Sequence, residues 1–313
     1  MKIGVFGNTR LGLPAIQLLL QNNLQISLVL PNRPSDETDH LEQMAISYGV
    51  AVKRIDKQSS GKEITKWFEN EKPDLVVVLT FPYIIPAGVL EKGTPWFNFH
   101  YAPLPAYRGA EPTFWQIKNK EKTGAVTVHL ITRKLDAGPV VFEDPVPIDE
   151  NDTHGMHLTK LAFTGASSLL KLLQMWQQNG GKISGTQQDE ANAKTYPRVG
   201  LQDLIIRWKG MTAADIRALV NAGNPWNKGA ITFLEGKPLR ITAVTIEKAM
   251  QRNAREPGSL IVDSEGNLRA QTNQETDLVL DVISVDEGIY TGREFAKQYD
   301  LNNKILSEYF SGT

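Results

Sequence analysis

Short apolar runs alternate with amphipathic segments through the first half of the chain, and this alternation restricts the possible folds more than any other sequence feature. The apolar runs lie at residues 3–6, 26–30 and 75–79, and the amphipathic segments at 14–20, 41–47 and 64–71. Runs of the first kind are typical of buried strands and segments of the second kind of helices. Strands that alternate with helices form βαβ units, so the sequence predicts an α/β domain with a parallel sheet.

The same pattern extends this domain to a long predicted helix. Further strands are predicted at 96–100, 125–131 and 140–146, and further helices at 113–119 and 154–178. Gly180 and Gly181 follow the last helix and are typical of a helix end. The next residues are polar and show little periodicity, which indicates an exposed linker. We expect a catalytic domain at residues 1–184 and a linker at 185–202.

The remainder of the chain has the pattern of a small second domain. A helix is predicted at 213–221, and strands are predicted at 230–234, 239–244, 259–262, 268–271 and 278–283. Turn sequences such as Glu235-Gly236-Lys237 separate these strands. Five short strands in succession favour a small, OB-like β-barrel, which we expect at residues 203–313.

Composition excludes several kinds of chemistry. The chain has no cysteine, which rules out disulfides, thiolate zinc sites, iron–sulfur clusters and a cysteine nucleophile. Its 34 basic and 35 acidic residues create no general attraction to nucleic acid or anionic membranes. The start of the chain lacks the layout of a signal peptide, and no apolar run has the length of a membrane span. We therefore expect a cytoplasmic protein without membrane contacts.

Rare polar residues follow the predicted strands between residues 97 and 141. Asn98 and His100 are two apart at the end of one strand, so both side chains can point into one cleft beyond the sheet. A proline-containing loop at 101–109 follows them. Asp136 ends a later turn, where its carboxylate can reach an imidazole. A His–Asp pair with an amide is sufficient for acyl transfer without a covalent intermediate.

Four motifs in this region carry a family resemblance. They are Asn-Phe-His at 98–100, Leu-Pro-Ala-Tyr-Arg-Gly at 104–109, Thr-Gly-Ala-Val-Thr at 123–127 and Leu-Asp-Ala-Gly at 135–138. In this order they resemble the 10-formyltetrahydrofolate-dependent formyltransferases. Asn-Pro-Trp-Asn-Lys-Gly-Ala at 224–230 and Gly-Lys-Pro-Leu-Arg-Ile at 236–241 are similar to the C-terminal barrel of the methionyl-tRNA formyltransferases within that family. The resemblance thus covers nearly the whole chain.

The resemblance implies a Rossmann-like catalytic domain that uses 10-formyltetrahydrofolate as formyl donor. It also implies that His100 handles the proton of an attacking amine, that Asn98 donates to the oxyanion, and that Asp136 orients His100. The residues expected to contact the folate are Thr80, Phe81, Tyr83, Ile84, Leu104 and Leu135. Those expected to contact the acceptor are Tyr107, Arg108 and Gly109. For Arg108 a second interpretation stays open, an ion pair with a carboxylate of its own loop.

Two other sites are less consistent with the sequence. His154 and His157 have helical spacing, but no third metal ligand is near them in sequence, so no metal is expected. Gly7-Asn8-Thr9-Arg10-Leu11-Gly12 lacks the G-x-G-x-x-G spacing that brings a pyrophosphate to the backbone. A nicotinamide dehydrogenase is therefore the weaker hypothesis.

The acceptor is either initiator methionyl-tRNA or a nucleotide-linked amino sugar. The family resemblance implies an extended basic loop after the second strand in enzymes that act on tRNA. Here residues 31–39 are short and acidic, and a short acidic loop is expected at 35–39. Residues 201–313 carry 13 basic and 15 acidic side chains, a net charge of −2 that suits phosphate neutralisation poorly. A formyltetrahydrofolate hydrolase and a non-catalytic folate-binding module remain alternatives. The sequence does not indicate the oligomeric state.

Overall fold

The computed structural model describes residues 1–22, 24–33, 35–249, 256–272, 276–301 and 303–309. They form two compact units, neither of which is continuous in sequence. The first comprises residues 1–112, 123–147 and 158–196, and the second comprises 113–122, 148–157 and the described residues from 197 onward. The boundaries expected at residues 184 and 203 stay predictions, and the last four residues of the expected second domain lie outside the described residues.

The chain up to residue 196 contains nine strands and six α-helices within its described residues. The strands are β1 Lys2–Gly7, β2 Gln25–Pro31, β3 Val52–Ile55, β4 Leu75–Leu79, β5 Trp96–His100, β6 Arg108–Gly109, β7 Thr123–Leu130, β8 Val140–Pro147 and β9 Thr195–Tyr196. The helices are α1 Leu13–Gln21, α2 Asp36–Ser47, α3 Ser60–Glu71, α4 Ala87–Leu90, α5 Pro112–Lys118 and α6 His154–Gln178. All the helices and strands predicted from the sequence in this part are present.

Seven of these strands form one mixed sheet in the order β3-β2-β1-β4-β5-β7-β8. The first five are parallel, and β7 and β8 continue the sheet antiparallel to their neighbours. Apolar side chains on the two faces of the sheet form separate clusters, one that includes Leu161 and Leu169 of α6 and one that includes Trp67 and Phe68 of α3. The predicted α/β domain with a Rossmann-like parallel sheet is thus confirmed.

One prediction in this unit is wrong: residues 35–39 are not a loop. Ser35 is the N-cap of α2, its hydroxyl accepts from the Thr38 amide at 3.2 Å, and Thr38 completes a capping box. The acidic residues Asp36, Glu37 and Asp39 therefore occupy the first helical turn, where the helix dipole favours negative charge. Pro34, which precedes the predicted loop, lies outside the described residues.

The chain from residue 197 contains an antiparallel sheet. Its elements are α7 Ala213–Ala222, β10 Ala230–Leu234, β11 Lys237–Lys248, β12 Leu260–Val262, β13 Leu268–Gln271, β14 Thr276–Val285, β15 Gly288–Thr291, α8 Gly292–Gln298 and β16 Leu306–Ser307. The strand order is β12-β13-β14-β11-β10-β16, with β15 paired to β14. The Leu260 amide donates to the Lys304 carbonyl at 2.8 Å and the Leu306 amide to the Gly258 carbonyl at 2.9 Å. These bonds join the two ends of the sheet, so the predicted small barrel is confirmed.

The sequence pattern does not predict the short elements α4, β6 and β9, nor β3, β15, β16 and α8. Val52–Ile55 is short and half charged, and Gly288–Thr291 lies on the surface, so neither has a clear apolar repeat. Helix α8 begins at a capping box formed by Thr291 and Glu294. In the described part of the chain, none of the helices combines the length and the apolar character needed to cross a membrane.

Candidate active site

Asn98 and His100 lie on the same face of β5, as their spacing predicts. The alternate residues Phe97 and Phe99 point to the other face and are buried in the core cluster. Strand β5 pairs with β7, which places His129 directly opposite Asn98. The core therefore fixes the orientation of the strand, and the register with β7 determines which residues face the two polar side chains.

His100 is buried, and one of its ring nitrogens has a defined partner. Its Nε2 lies 2.6 Å from the carbonyl oxygen of Tyr107, which can only accept, so Nε2 carries the hydrogen. In the neutral ring, Nδ1 therefore has the free lone pair. That nitrogen lies 3.9 Å from Oδ1 of Asp136. His100 can thus accept a proton at Nδ1, and the resulting imidazolium would face a carboxylate.

Asp136 lies in the connection between β7 and β8 with a positive φ of 50°, unusual for a residue other than glycine. The neighbouring Gly138 passes so close to Leu130 that a Cβ atom would lie 1.7 Å from the Leu130 carbonyl oxygen. Oδ2 of Asp136 accepts from the Gly109 amide at 2.9 Å. Oδ1 lies 3.9 Å from both His100 Nδ1 and His129 Nε2. One carboxylate oxygen is therefore anchored, and the other faces two imidazoles.

His129 is not among the predicted site residues, because its place in an alternating strand is typical of a side chain that packs on its sheet neighbours. Its Nδ1 lies 3.0 Å from the Leu130 carbonyl oxygen, so Nδ1 is the protonated nitrogen. Its Nε2 then accepts from Asn98 Nδ2 at 3.0 Å. Burial, together with the nearby His100, lowers the pKa of His129 to about 4. His129 is thus neutral near pH 7 and fixes the orientation of the Asn98 amide.

Arg108 is buried and makes the contacts of an ion pair. Its guanidinium donates to Glu190 at 2.8 and 3.2 Å and to the side-chain oxygen of Gln188 at 2.7 and 3.0 Å. The hydrogen bond from Arg108, together with one from Lys134 at 2.6 Å, lowers the pKa of Glu190 to about 2. The partner carboxylate belongs to residues 185–196 and not to the loop of Arg108 itself. A contact of Arg108 with the acceptor stays a prediction.

Tyr107 and Gly109 hold the same loop against β9. The Tyr107 ring stacks on Tyr196 with centroids 4.8 Å apart and planes inclined by 8°. Gly109 has a φ of 98°, and a Cβ atom there would lie 2.4 Å from the Tyr196 carbonyl oxygen, so only glycine fits. Their contact with the acceptor likewise stays a prediction.

The residues expected to contact the folate differ in their surroundings. Phe81 packs edge-on against Phe6 and Tyr83, with centroids 4.9 and 5.2 Å apart. Ile84 and Leu135 are by contrast 86% and 70% exposed, which leaves two apolar side chains for a flat ring to cover. Thr80 has a φ of 67°, and its hydroxyl lies 2.9 Å from that of Thr9.

Leu104 is half-buried, and its amide donates to Glu143 at 3.3 Å. Whether these six residues contact a folate stays a prediction.

The two remaining histidines of interest lie in the second unit. His154 Nε2 is 2.9 Å from the Thr113 hydroxyl, and His157 is fully buried. Within the described ranges, no group of three or more His, Asp and Glu residues is arranged to hold a metal ion.

Family models of known proteins match both parts of the chain. The model for the formyl transferases matches residues 1–173, and the model for the formyl transferase C-terminal domain matches residues 198–300. The protein therefore belongs to the formyl transferase family, as the motifs indicated, and it is an enzyme of formyl transfer.

Curated relatives extend the similarity over most of the chain. A methionyl-tRNA formyltransferase of Chlorobium limicola is 29% identical and covers 84% of this chain and 85% of its own. One of Bacillus subtilis is 30% identical and covers 89% and 88%.

Solved structures show the same fold at lower identity. An N-formyltransferase from Helicobacter canadensis, solved with folinic acid and dTDP-3-aminofucose, has a TM-score of 0.70 at 16% identity and covers 93% of this chain and all of its own. The sugar 3N-formyl transferase WlaRD, solved with dTDP and 5-N-formyl-THF, has a TM-score of 0.66 at 18% identity, with coverage of 89% and 96%.

Proposed function

We propose that the protein transfers a formyl group from 10-formyltetrahydrofolate to a primary amine, with Asn98, His100 and Asp136 as catalytic groups. The observation that carries this proposal is the arrangement of their polar atoms. Nδ1 of His100 and Oδ1 of Asp136 face each other at 3.9 Å, and Asn98 lies on the same strand face as His100. The folates in two related formyltransferase structures support the choice of donor.

His100 acts as the base at Nδ1, because Nε2 already donates to the Tyr107 carbonyl. A neutral amine attacks the formyl carbon, a C–N bond forms, and the carbonyl oxygen becomes an oxyanion. The proton of the attacking nitrogen passes to His100, and Asp136 stabilises the imidazolium. The tetrahedral intermediate then breaks the bond between the formyl carbon and the folate nitrogen. That nitrogen takes a proton in turn, which yields a formamide and tetrahydrofolate.

Asn98 supplies the donor for the oxyanion. Its Nδ2 has two hydrogens, and one of them is directed to Nε2 of the neutral His129. The second hydrogen can donate to the oxygen of the formyl group. A donor fixed in advance by His129 stabilises the developing charge without reorganisation, which is the usual source of oxyanion stabilisation.

Two acceptors are supported by different observations. Similarity to methionyl-tRNA formyltransferases over most of the chain, with the C-terminal domain included, supports initiator methionyl-tRNA. The acidic first turn of α2 and the net charge of −2 over residues 201–313 support a nucleotide-linked amino sugar. The ion pair of Arg217, a basic residue of the second unit, with Glu150 at 2.9 Å supports the same acceptor.

An acceptor screen with 10-formyltetrahydrofolate tests the proposal. Charged initiator tRNA and nucleotide-linked amino sugars are compared for formamide formation, with a reaction that contains no amine as control. Formate released without any amine would identify a hydrolase instead. Folate binding without turnover on either acceptor, unaffected by His100→Ala, would identify a binding module.

The charge of the protein predicts the outcome of the acceptor screen with initiator tRNA. Binding to tRNA through many Lys and Arg contacts weakens steeply as salt rises, because counterions are released. We expect weak and shallowly salt-dependent binding of initiator tRNA, and slow formylation beside that of a dedicated enzyme. Efficient formylation of initiator but not elongator tRNA would contradict this expectation. Lys209, Lys228, Lys237 and Arg240, with Arg217, would then form a basic face.

A further inference from the structure

A glutamine outside the proposed catalytic groups contacts both Arg108 of β6 and the turn that carries Asp136. Gln188 lies in residues 185–196, which follow α6 and run along the first unit. Thr186 pairs with Val140, each amide donating to the other carbonyl at 2.8 Å. Gly185 approaches the same strand so closely that a Cβ atom would lie 2.8 Å from the carbonyl oxygen of Pro139. The backbone is thus fixed two residues before Gln188.

The side-chain amide of Gln188 uses all of its hydrogen-bonding capacity. Its oxygen accepts from Nε and Nη2 of Arg108 at 3.0 and 2.7 Å. Its nitrogen donates to the carbonyl oxygens of Asp136 and Gly138 at 2.9 and 2.8 Å. An amide has two lone pairs and two hydrogens for such bonds, so its orientation is determined. Arginine donors lie on one side and two carbonyl acceptors on the other.

These bonds act on the backbone that holds the Asp136 carboxylate. A φ of 50° is unfavourable for an aspartate, and a residue in this region persists only where its surroundings impose it. Gln188 binds the Asp136 main chain, while the Gly109 amide binds the carboxylate. Arg108 and Gly109 are neighbours in β6, so both ends of Asp136 are tied to the same short strand.

We propose that Gln188 is a positioning residue for Asp136, a role that rests on the function proposed above. It sets the place of the carboxylate relative to His100 and His129 by holding the turn at two carbonyl groups. Only an amide can both accept from Arg108 and donate to the two carbonyl oxygens. A carboxylate would bring an oxygen against two carbonyl oxygens, and an apolar side chain would leave Arg108 donors without their acceptor.

Gln188→Glu tests this role. Gln187→Glu is its matched control, because it adds the same charge one residue away at an exposed position. Displacement of a catalytic group by a fraction of an ångström lowers turnover while ground-state binding persists. We therefore expect Gln188→Glu to lower kcat about 10- to 100-fold, with KM for the folate within about threefold. We expect Gln187→Glu to behave as the unmodified protein. Gln188→Met, which keeps the length without charge, should lower kcat in the same way.

A second measurement needs no acceptor. The imidazole NMR resonances of His100 and His129 report the position of the nearby carboxylate, so Gln188→Glu and Gln188→Met should shift them and Gln187→Glu should not. His100→Ala is included in every series. Activity in His100→Ala would overturn the proposed function itself. An inactive His100→Ala, combined with normal kcat and unshifted resonances in both Gln188 variants, would overturn the positioning role alone.

Discussion

Asp136 and Asp263 both lie in turns between antiparallel strands with side chains only 9% and 2% exposed, yet their carboxylates are used differently. Oδ1 of Asp263 accepts from the amides of Glu265 and Asn267 at 3.0 and 2.8 Å, and Oδ2 accepts from Arg269 at 2.7 Å. Oδ2 of Asp136 accepts from the Gly109 amide, but its Oδ1 lies 3.9 Å from two imidazole nitrogens. Asp263 thus completes its own turn, whereas Asp136 directs one oxygen at groups that can exchange protons.

The difference separates a stabilising carboxylate from a chemically useful one. A buried carboxylate that accepts several hydrogen bonds stabilises the fold and has no capacity for a substrate. A carboxylate held in a left-handed conformation, with one oxygen beyond hydrogen-bonding distance of its neighbours, accepts fewer stabilising hydrogen bonds. Such arrangements are concentrated at functional sites.

The largest expected effect concerns turnover at the Asp136 site. Asn98→Ala, His100→Ala and Asp136→Asn should each lower the rate constant of formyl transfer by about two or more powers of ten, since they remove the oxyanion donor, the base and the carboxylate that stabilises the imidazolium, respectively. The fold should remain intact by circular dichroism. Asp263→Asn serves as control and should keep normal turnover. Turnover near that of the unmodified protein in His100→Ala would rule out the mechanism.

Substitution of Asp263 should leave turnover normal and should have a large effect on stability. Burial alone would raise the pKa of Asp263, but the hydrogen bonds from Arg269 and Asn267 lower it to about 2. Asp263→Ala leaves a buried guanidinium without one of its partners, which should cost about 3 kcal/mol of unfolding free energy. Hydrogen exchange of the β12 and β13 amides measures this loss. An equal loss in Asp136→Asn would show that the two carboxylates do not differ.

Local sequence patterns predict three of five residues of the candidate site. Asn98 and His100 are recognisable because a spacing of two on an apolar strand is a local feature, and Asp136 because Ala-Gly follows it. His129 and Gln188 are not recognisable in this way. The role of His129 depends on the register of β5 with β7, and that of Gln188 on the return of residues 185–196 to the Asp136 turn. A single sequence contains neither pairing.

The elements of the fold likewise divide into those that local sequence predicts and those that it does not. The buried strand β4 and the helix His154–Gln178 agree with the predictions, since a continuous apolar run marks the strand and a periodicity over many residues marks the helix. The start of α2 depends on one hydroxyl cap at Ser35, and β16 on hydrogen bonds with β10. The periodicity of the sequence does not predict features that depend on a single cap or on a distant partner.

A folate ligand should stabilise the first unit and not the second. At about one hundred times its Kd, a ligand adds about 2.7 kcal/mol to the unit that binds it. Tetrahydrofolate should therefore slow hydrogen exchange in β4 and β5 and leave β12 and β13 unchanged, and NAD should have no effect. Ile84→Ser should weaken the protection, whereas Leu170→Ser, at an exposed apolar position on α6, should not. Protection by NAD and none by the folate would overturn the donor assignment.

The smallest effect is a pH dependence confined to the first unit. Burial lowers the pKa of His129 to about 4, so in the folded protein the ring remains neutral at a pH where the unfolded chain already binds a proton. Between an unfolded pKa of about 6.5 and the folded value, protons favour the unfolded state, and stability falls as pH falls. The loss from this group should reach about 2 kcal/mol at pH ~5 relative to pH ~8 and should end below its folded pKa.

Asp263 provides the contrast for this measurement. Its folded pKa of about 2 lies below the usual value, so its contribution is complete above the unfolded pKa and is lost only in stronger acid. Hydrogen exchange corrected for intrinsic rates should therefore show a weaker β7 at pH ~5 and unchanged β12 and β13 amides. His129→Gln keeps an acceptor for the Asn98 amide but cannot titrate, so it should remove most of the pH dependence in β7. If β7 weakens equally in His129→Gln, a group other than His129 takes up the proton.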